Sequence, residues 1–177
     1  TDTLWKLSAS QIIKLLEKKD ISSEEVLNSN INRINEVNPN INAVVTLCIE
    51  RAKKNILKNE NEDKKLLNNI PVLIKDVTEV EGVKTTYGSK LYEDYISKTS
   101  DILVNNIEKN GGVILGKTNT PELAAGSNTF NDVFGTTKNP WNLSLSAGGS
   151  SGGSGAALAS GMAWFATGTD LGGSLRN

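Results

Sequence analysis

The sequence predicts an α/β fold, helices packed around a sheet, and three observations carry that expectation. Two capping-box signatures open consecutive amphipathic segments near the amino terminus. From Ile70 onward, short β-branched runs alternate with a helical segment and glycine-marked turns. From Asn119 to Ser154 the chain is rich in Gly, Ser, Thr, Asn and Pro, the composition of functional loops on a rigid scaffold.

Ser8-Ala9-Ser10-Gln11 has the capping-box form, and Ile12, Leu15 and Leu16 recur at helical spacing, so a helix is expected up to Asp20. Ser22-Ser23-Glu24-Glu25 repeats the signal, with Val26, Ile31, Ile34 and Val37 on one face. Asn38-Pro39 is expected to end that second helix, because proline disfavours the helical region in the residue before it. Ala43 to Leu47 reads as a strand, Ile49 to Leu57 as a charged helix, and Lys58 to Asn69 as an exposed helix end and loop. A strand at Val72 to Ile74, a turn near Glu81-Gly82, a helix from Asp101 to Lys109 and a strand at Val113 to Leu115 follow. Gly111-Gly112 closes the helix as a glycine cap. Ala156 to Met162 is expected as a short helix and Trp164 to Thr167 as a buried strand, which delivers Gly168 to Ser174 to a strand end.

Composition narrows the function classes. Against 20 acidic residues stand 19 basic ones, so the excess needed for direct nucleic-acid binding by counterion release is missing and a small-molecule partner is expected. One cysteine forms no internal disulfide, which with 37% hydrophobic content points to a reduced, cytoplasmic protein. No apolar run approaches a membrane span, and Thr1 to Ser10 carries no signal-peptide pattern. A homo-oligomer is left open. The chain starts at Thr1 without Met and stops at Asn177 straight after its most motif-like segment. The expectation is that residues 1–177 are the amino-terminal part of a single domain whose carboxyl half is missing.

The 177 residues include no histidine, which excludes a Ser-His-Asp triad, a Cys-His pair and a histidine zinc site within them. No metal or cofactor is expected. Cys48, in Ala-Val-Val-Thr-Leu-Cys-Ile with only Arg51 near it, reads as packing. Gly148-Gly149-Ser150-Ser151-Gly152-Gly153-Ser154-Gly155 has linker composition, yet it runs straight into the helix-forming Ala-Ala-Leu-Ala. A glycine-rich turn at a helix start presents backbone N–H groups to an anion or oxyanion. Gly168-Thr169-Asp170-Leu171-Gly172-Gly173-Ser174 is a second such turn, where glycines before a serine let a carbonyl approach the backbone. Gly111 to Thr118 fits the letters of a P-loop, an alternative that would make this a nucleotide-binding protein. Its context disagrees, since a helix precedes it and its middle residues Val-Ile-Leu are strand-like.

The run from Gly148 to Arg176, GGSSGGSGAALASGMAWFATGTDLGGSLR, resembles the signature of the amidase signature family. Pro71-Val72-Leu73-Ile74-Lys75-Asp76 resembles the family's lysine segment. Gly116-Lys117-Thr118-Asn119 and Phe134-Gly135-Thr136-Thr137-Lys138-Asn139-Pro140-Trp141 are similar to two further family motifs. The resemblance implies the amidase signature fold, a mixed sheet with helices around it and further helices at the amino terminus, incomplete in this chain. It implies hydrolysis of a carboxamide to a carboxylate plus ammonia or amine through a serine acyl-enzyme. It makes Ser174 the nucleophile, Ser150 the relay after a cis Gly149-Ser150 peptide, and Lys75 the base. The N–H groups of Leu171, Gly172, Gly173 and Ser174 become the oxyanion hole. The separation of Ser150 from Ser174 agrees with this assignment and disfavours Ser151.

Ordinary lysine has a pKa near 10.4, so Lys75 needs burial or a nearby cation to act as a base, and the apolar strand before it offers burial. Without the resemblance, Lys75 reads as a surface lysine paired with Asp76. Asp170 and Arg176 are either a pair that holds the nucleophile's turn or independent solvated charges. Ala124, Gly126 and Ser127 are candidate substrate contacts, and Asn119, Ser127 and Asn128 candidates for the pocket floor, although polar loop residues are also ordinary turn chemistry. Within the family, the alternative to a stand-alone amidase is the glutamine-hydrolysing subunit of the tRNA-dependent amidotransferase. That subunit's usual Asn-Met-Asp-Glu-Phe is here Asn119-Thr120-Pro121-Glu122-Leu123, which favours a stand-alone enzyme. A non-catalytic scaffold is disfavoured by the presence of all three triad positions, and the fragment alone is expected to be inactive.

Overall fold

Both capping boxes form as hydrogen-bonded reciprocal pairs, and they fix how the chain enters its first two helices. The structure, a computed structural model, describes residues 3–63 and 65–176. Ser8 caps α1 (Ala9–Lys18) and Ser22 caps α2 (Ser23–Ile41), each serine accepting from the N3 amide while the N3 side chain accepts from the serine's own N–H. Asn38-Pro39 does not end α2, which runs on through Pro39 to Ile41. In this last turn the proline forfeits a single backbone bond. Asn42, left-handed at φ 58°, stops the helix. The Asn38 side chain accepts from Ala43 N at 2.8 Å and Val44 N at 2.9 Å, so the residue before the proline starts the next element.

That element is β1 (Val44–Leu47), followed by α3 (Ile49–Glu60), three residues longer than expected. β2 (Pro71–Lys75), α4 (Ile102–Lys109) and β3 (Val113–Thr118) complete the alternation. Asp101 caps α4 by accepting from Leu103 N at 2.7 Å, and Gly111 at φ +83° turns the chain out of the helix. Two small hairpins, β4 (Phe130–Asn131) with β5 (Gly135–Thr136) and β6 (Lys138–Asn139) with β7 (Asn142–Ser146), organise the long polar segment.

The last two elements differ from expectation. α5 is Gly152–Ala159, so the glycines lie inside the helix and it ends before Met162. A Cβ at Gly153 would stand 2.4 Å from Asn119 N and O, and one at Gly152 2.3 Å from Thr129 Oγ1. Close packing onto that loop overrides the low helix propensity of glycine. β8 is only Phe165–Ala166, an edge strand with Phe165 38% exposed rather than a buried strand.

The main sheet has the order β1-β3-β2-β8, β1 antiparallel to β3 and the other pairs parallel, a mixed sheet. One face buries Leu73 and Leu115 against Leu27, Ile34, Ile56 and Ala157; the other buries Val72, Ile74 and Ile114 against Ile12, Val26 and Val104. Each such side chain contributes about 1.5–3 kcal/mol on burial. β2 and β3, parallel and covered on both faces, end together at Lys75 and Thr118. No helix among the described residues is long and apolar enough to cross a membrane.

Candidate active site

Lys75 is the last residue of β2 and has no exposure to solvent. Its N–H donates to Thr167 Oγ1 at 2.9 Å, fixing the strand end against the segment after β8. The amine donates to Ser150 Oγ at 2.6 Å, Thr169 Oγ1 at 2.7 Å and Ser151 Oγ at 3.0 Å. These partners are all hydroxyls. Burial lowers its pKa to about 8, with the Asp170 charge acting in the opposite direction. Lys75 is therefore not a surface lysine paired with Asp76. Asp76 is paired instead with Lys117, Nζ to Oδ1 3.1 Å.

Ser150 is buried, and the Gly149-Ser150 peptide is cis. A Cβ at Gly149 would lie 2.8 Å from Asn128 N and 2.9 Å from Ser127 C, so glycine is required where the 126–128 loop crosses this turn. Thr129 Oγ1 accepts from Gly152 N at 3.1 Å and donates to Gly148 O at 2.8 Å, clamping the turn from both ends. Ser151, set aside in favour of Ser150, nevertheless reaches the same amine. Its hydroxyl donates to Thr169 O at 3.2 Å and accepts from Thr169 N at 3.2 Å, and its N–H donates to Ser174 O at 3.3 Å.

Ser174 is half-buried and follows a turn held by Asp170. Asp170 accepts from Arg176 Nε at 2.8 Å and a second guanidinium nitrogen at 2.9 Å, and also from Gly173 N at 2.7 Å and Leu175 N at 3.2 Å. Of the two readings of Asp170 and Arg176, the pair is the one formed. The guanidinium, with the Gly173 N–H, holds the Asp170 carboxyl well below the usual carboxylate range. Among the described residues the Ser174 hydroxyl makes no hydrogen bond to Ser150 or Lys75. The Gly173 N–H is occupied by Asp170, whereas those of Leu171, Gly172 and Ser174 donate no hydrogen bond among the described residues.

Ala124 lies in a turn where Leu123 and Ala124 both have positive φ, 51° and 58°. Gly126 and Ser127 are exposed, and Asn128 Oδ1 accepts from Ser146 Oγ at 2.6 Å. Asn119, a candidate for the pocket floor, is buried in the loop's own network, its amide on Gly135 O at 3.1 Å and Thr137 Oγ1 at 3.0 Å. A cleft of about 220 Å³ opens beside Gly149, Ser151, Gly168 and Ser174. A larger groove, about 670 Å³, runs between α1, α2 and the end of α3 and holds none of these residues.

Sequence reasoning missed Thr169. Its only signal was its place in the Gly168-Thr169-Asp170 turn, since no periodicity directs a loop hydroxyl at an amine. The P-loop is not formed, because residues 113–118 are β3 and Lys117 is buried against Asp76. Cys48 donates its thiol to Ile114 O at 3.4 Å, and burial pushes its pKa up to about 11, as suits a packing cysteine.

The profile described as Amidase matches residues 25–177. A glutamyl-tRNA(Gln) amidotransferase subunit from Thermoanaerobacter pseudethanolicus is 45% identical over 177 residues, covering 98% of this chain and 36% of that protein. A solved bacterial aryl acylamidase of the amidase signature family superposes with a TM-score of 0.90 at 34% identity, covering 96% of this chain and 36% of that one. A solved glutamyl-tRNA(Gln) amidotransferase subunit from Thermotoga maritima gives 0.83 at 35%, covering 97% and 36%. The chain thus spans about a third of the length of these relatives. With its profile matched from α2 to the carboxyl end and its fold shared with solved members, this chain belongs to the amidase signature family.

Proposed function

We propose that the chain carries the nucleophile, relay and base of an amide hydrolase that turns a carboxamide into a carboxylate plus ammonia or an amine. Ser174 is the nucleophile, Ser150 the relay and Lys75 the base. The observation that carries this reading is the Lys75 amine, buried, lowered to about 8 and 2.6 Å from Ser150 Oγ. A lysine locked onto a carboxylate holds its proton, whereas one among hydroxyls in a site that disfavours charge accepts one. As Ser174 Oγ attacks the amide carbon, its proton passes to Ser150, whose own proton passes to Lys75. That proton returns to the leaving nitrogen as the carbon–nitrogen bond breaks, and water hydrolyses the acyl-enzyme by the same route.

The unengaged N–H groups of Leu171, Gly172 and Ser174 serve the oxyanion, and Gly173 joins them when Asp170 releases it. Ala124, Gly126 and Ser127 contact substrate, and the Ser174 hydroxyl closes onto Ser150 when substrate binds, as catalytic hydrogen bonds commonly tighten in the complex. We place the protein in the cytoplasm, consistent with its single unpaired cysteine.

A second reading, the glutamine-hydrolysing subunit of a tRNA-dependent amidotransferase, is favoured by the 45% identity to a glutamyl-tRNA(Gln) amidotransferase subunit. The Asn119 to Leu123 segment favours a stand-alone amidase. The complete gene product, assayed alone on simple amides without ATP, metal or tRNA, separates the two. Turnover supports the stand-alone enzyme, and activity only with partner subunits and charged tRNA selects the second reading. Inactivity under both conditions contradicts amide hydrolysis.

A further inference from the structure

Two lysines with no exposure to solvent stand near the ends of neighbouring strands, and the proposed chemistry uses only Lys75. Simple alternation from Val113 and Leu115 would put Lys117 on the α5 face, beside the serines. Pairing between β2 and β3 instead slips by one residue. Val72 faces Ile114 but Leu73 faces Gly116, so that Ile74 faces Lys117 and Lys75 faces Thr118. An extra residue of this kind re-aims the side chains that follow it. Thr118 then shares the α5 face with Lys75, its Oγ1 2.7 Å from Ser154 Oγ, and Lys117 turns to the opposite face.

There the Lys117 amine meets Asp76 Oδ1 at 3.1 Å and donates to Thr85 Oγ1 at 2.7 Å. Asp76 also accepts from Thr86 N at 3.2 Å and from Thr86 Oγ1 at 2.5 Å. All four residues are buried, and a buried carboxylate requires a partner. Asp76 directly follows Lys75 in the chain, so the catalytic amine is the obvious competitor for it. We propose that Lys117 is a positioning residue that holds the Asp76 carboxylate on the far face of the sheet, leaving the Lys75 amine with hydroxyl partners alone.

Lys117 touches no reacting atom and acts through Asp76. The main chain at Asp76 is tied to the candidate substrate loop as well: Tyr87 N donates to the Asp76 carbonyl at 2.9 Å, and Leu123 N donates to Tyr87 O at 2.7 Å, next to Ala124. Other charged and titratable groups are engaged elsewhere. On the Lys75 side Asp170 is held by Arg176; on the far side Glu79 accepts from Tyr87 Oη at 2.6 Å and Tyr95 Oη at 3.2 Å, and the Cys48 thiol stays protonated. A buried ion pair seldom stabilises more than an apolar pair of its size, so stability alone does not account for it.

The inference rests on the amide-hydrolase reading, and one experiment separates the two. In the complete gene product, the rate at which a fluorophosphonate labels Ser174 is followed against pH, with a wild-type midpoint expected near about 8. Lys117→Met leaves an uncompensated negative charge beside Lys75 and should raise the midpoint by about half a unit to one unit. Asp76→Asn leaves an uncompensated positive charge and should lower it by a similar amount. Lys117→Arg and the neutral double variant Asp76→Asn/Lys117→Met should keep the wild-type midpoint. A merely structural role would reduce labelling at every pH without opposed shifts. Unmoved midpoints, or shifts of the same sign, overturn the proposal. Should a single variant fail to fold, a displaced midpoint in the double variant does so. Wild-type protein that is not labelled at Ser174 instead contradicts the amide-hydrolase reading itself.

Discussion

Lys75 touches three hydroxyls and no carboxylate, and that choice of neighbours sets its response to pH. Burial holds its pKa at about 8, and in the proposed mechanism the neutral amine is the base, so kcat/KM should climb with pH through that value. Below it the rate should fall tenfold per unit, as the protonated fraction grows. A flat profile between pH 6 and 9 would contradict a lysine base. Ser174→Ala should abolish acyl-enzyme formation, followed by the burst of released amine. Lys75→Ala and Ser150→Ala should each slow acylation by about a hundredfold to ten-thousandfold, through loss of general-base transfer. At this scale the motifs singled out Lys75 and Ser150, whose side chains meet at 2.6 Å, and Ser174, whose hydroxyl bonds to neither of them among the described residues. The sequence was silent on Thr169 and disfavoured Ser151, yet both hydroxyls reach the amine through loop packing rather than spacing.

Among the elements, α5 shows packing overriding propensity. Alanine is favoured over glycine in a helix interior by about 1 kcal/mol, which is why the helix was expected to begin only at Ala156. Yet a Cβ at Gly153 would press on Asn119 N and O at 2.4 Å. Gly153→Ala in the complete gene product should therefore cost about 1–3 kcal/mol of stability despite the better helix former, read as a lowered midpoint of urea unfolding. A neutral or raised midpoint would contradict the packing account. The capping boxes were legible because their chemistry is local, each serine and its N3 partner lying within one turn. The continuation of α2 through Pro39 was not, because it depends on Asn38 reaching Val44. Nor was the facing of Lys117, which depends on a slip in register between two strands far apart in sequence.

On the scale of the whole molecule, the chain spans about 36% of its amidotransferase relative, and much apolar surface stands open. Phe130, Trp141, Leu145 and Leu171 are exposed, and β8 leaves a sheet edge unpaired. The 177 residues expressed alone should bind a hydrophobic dye and melt below the complete gene product, as fluorescence and calorimetry would show. Equal melting temperatures without dye binding would contradict this. The mixed sheet, the two glycine-rich turns and the lysine strand end come together at one place, and everything proposed for the site depends on Ser174 attacking there. The sharpest test is to inactivate the complete gene product with a fluorophosphonate, digest it and locate the adduct by mass spectrometry. A single adduct on Ser174 is expected, absent from Ser174→Ala and formed far more slowly in Lys75→Ala. An adduct on Ser150, Ser151 or Cys48, or near wild-type turnover by Ser174→Ala, would contradict Ser174 as the nucleophile.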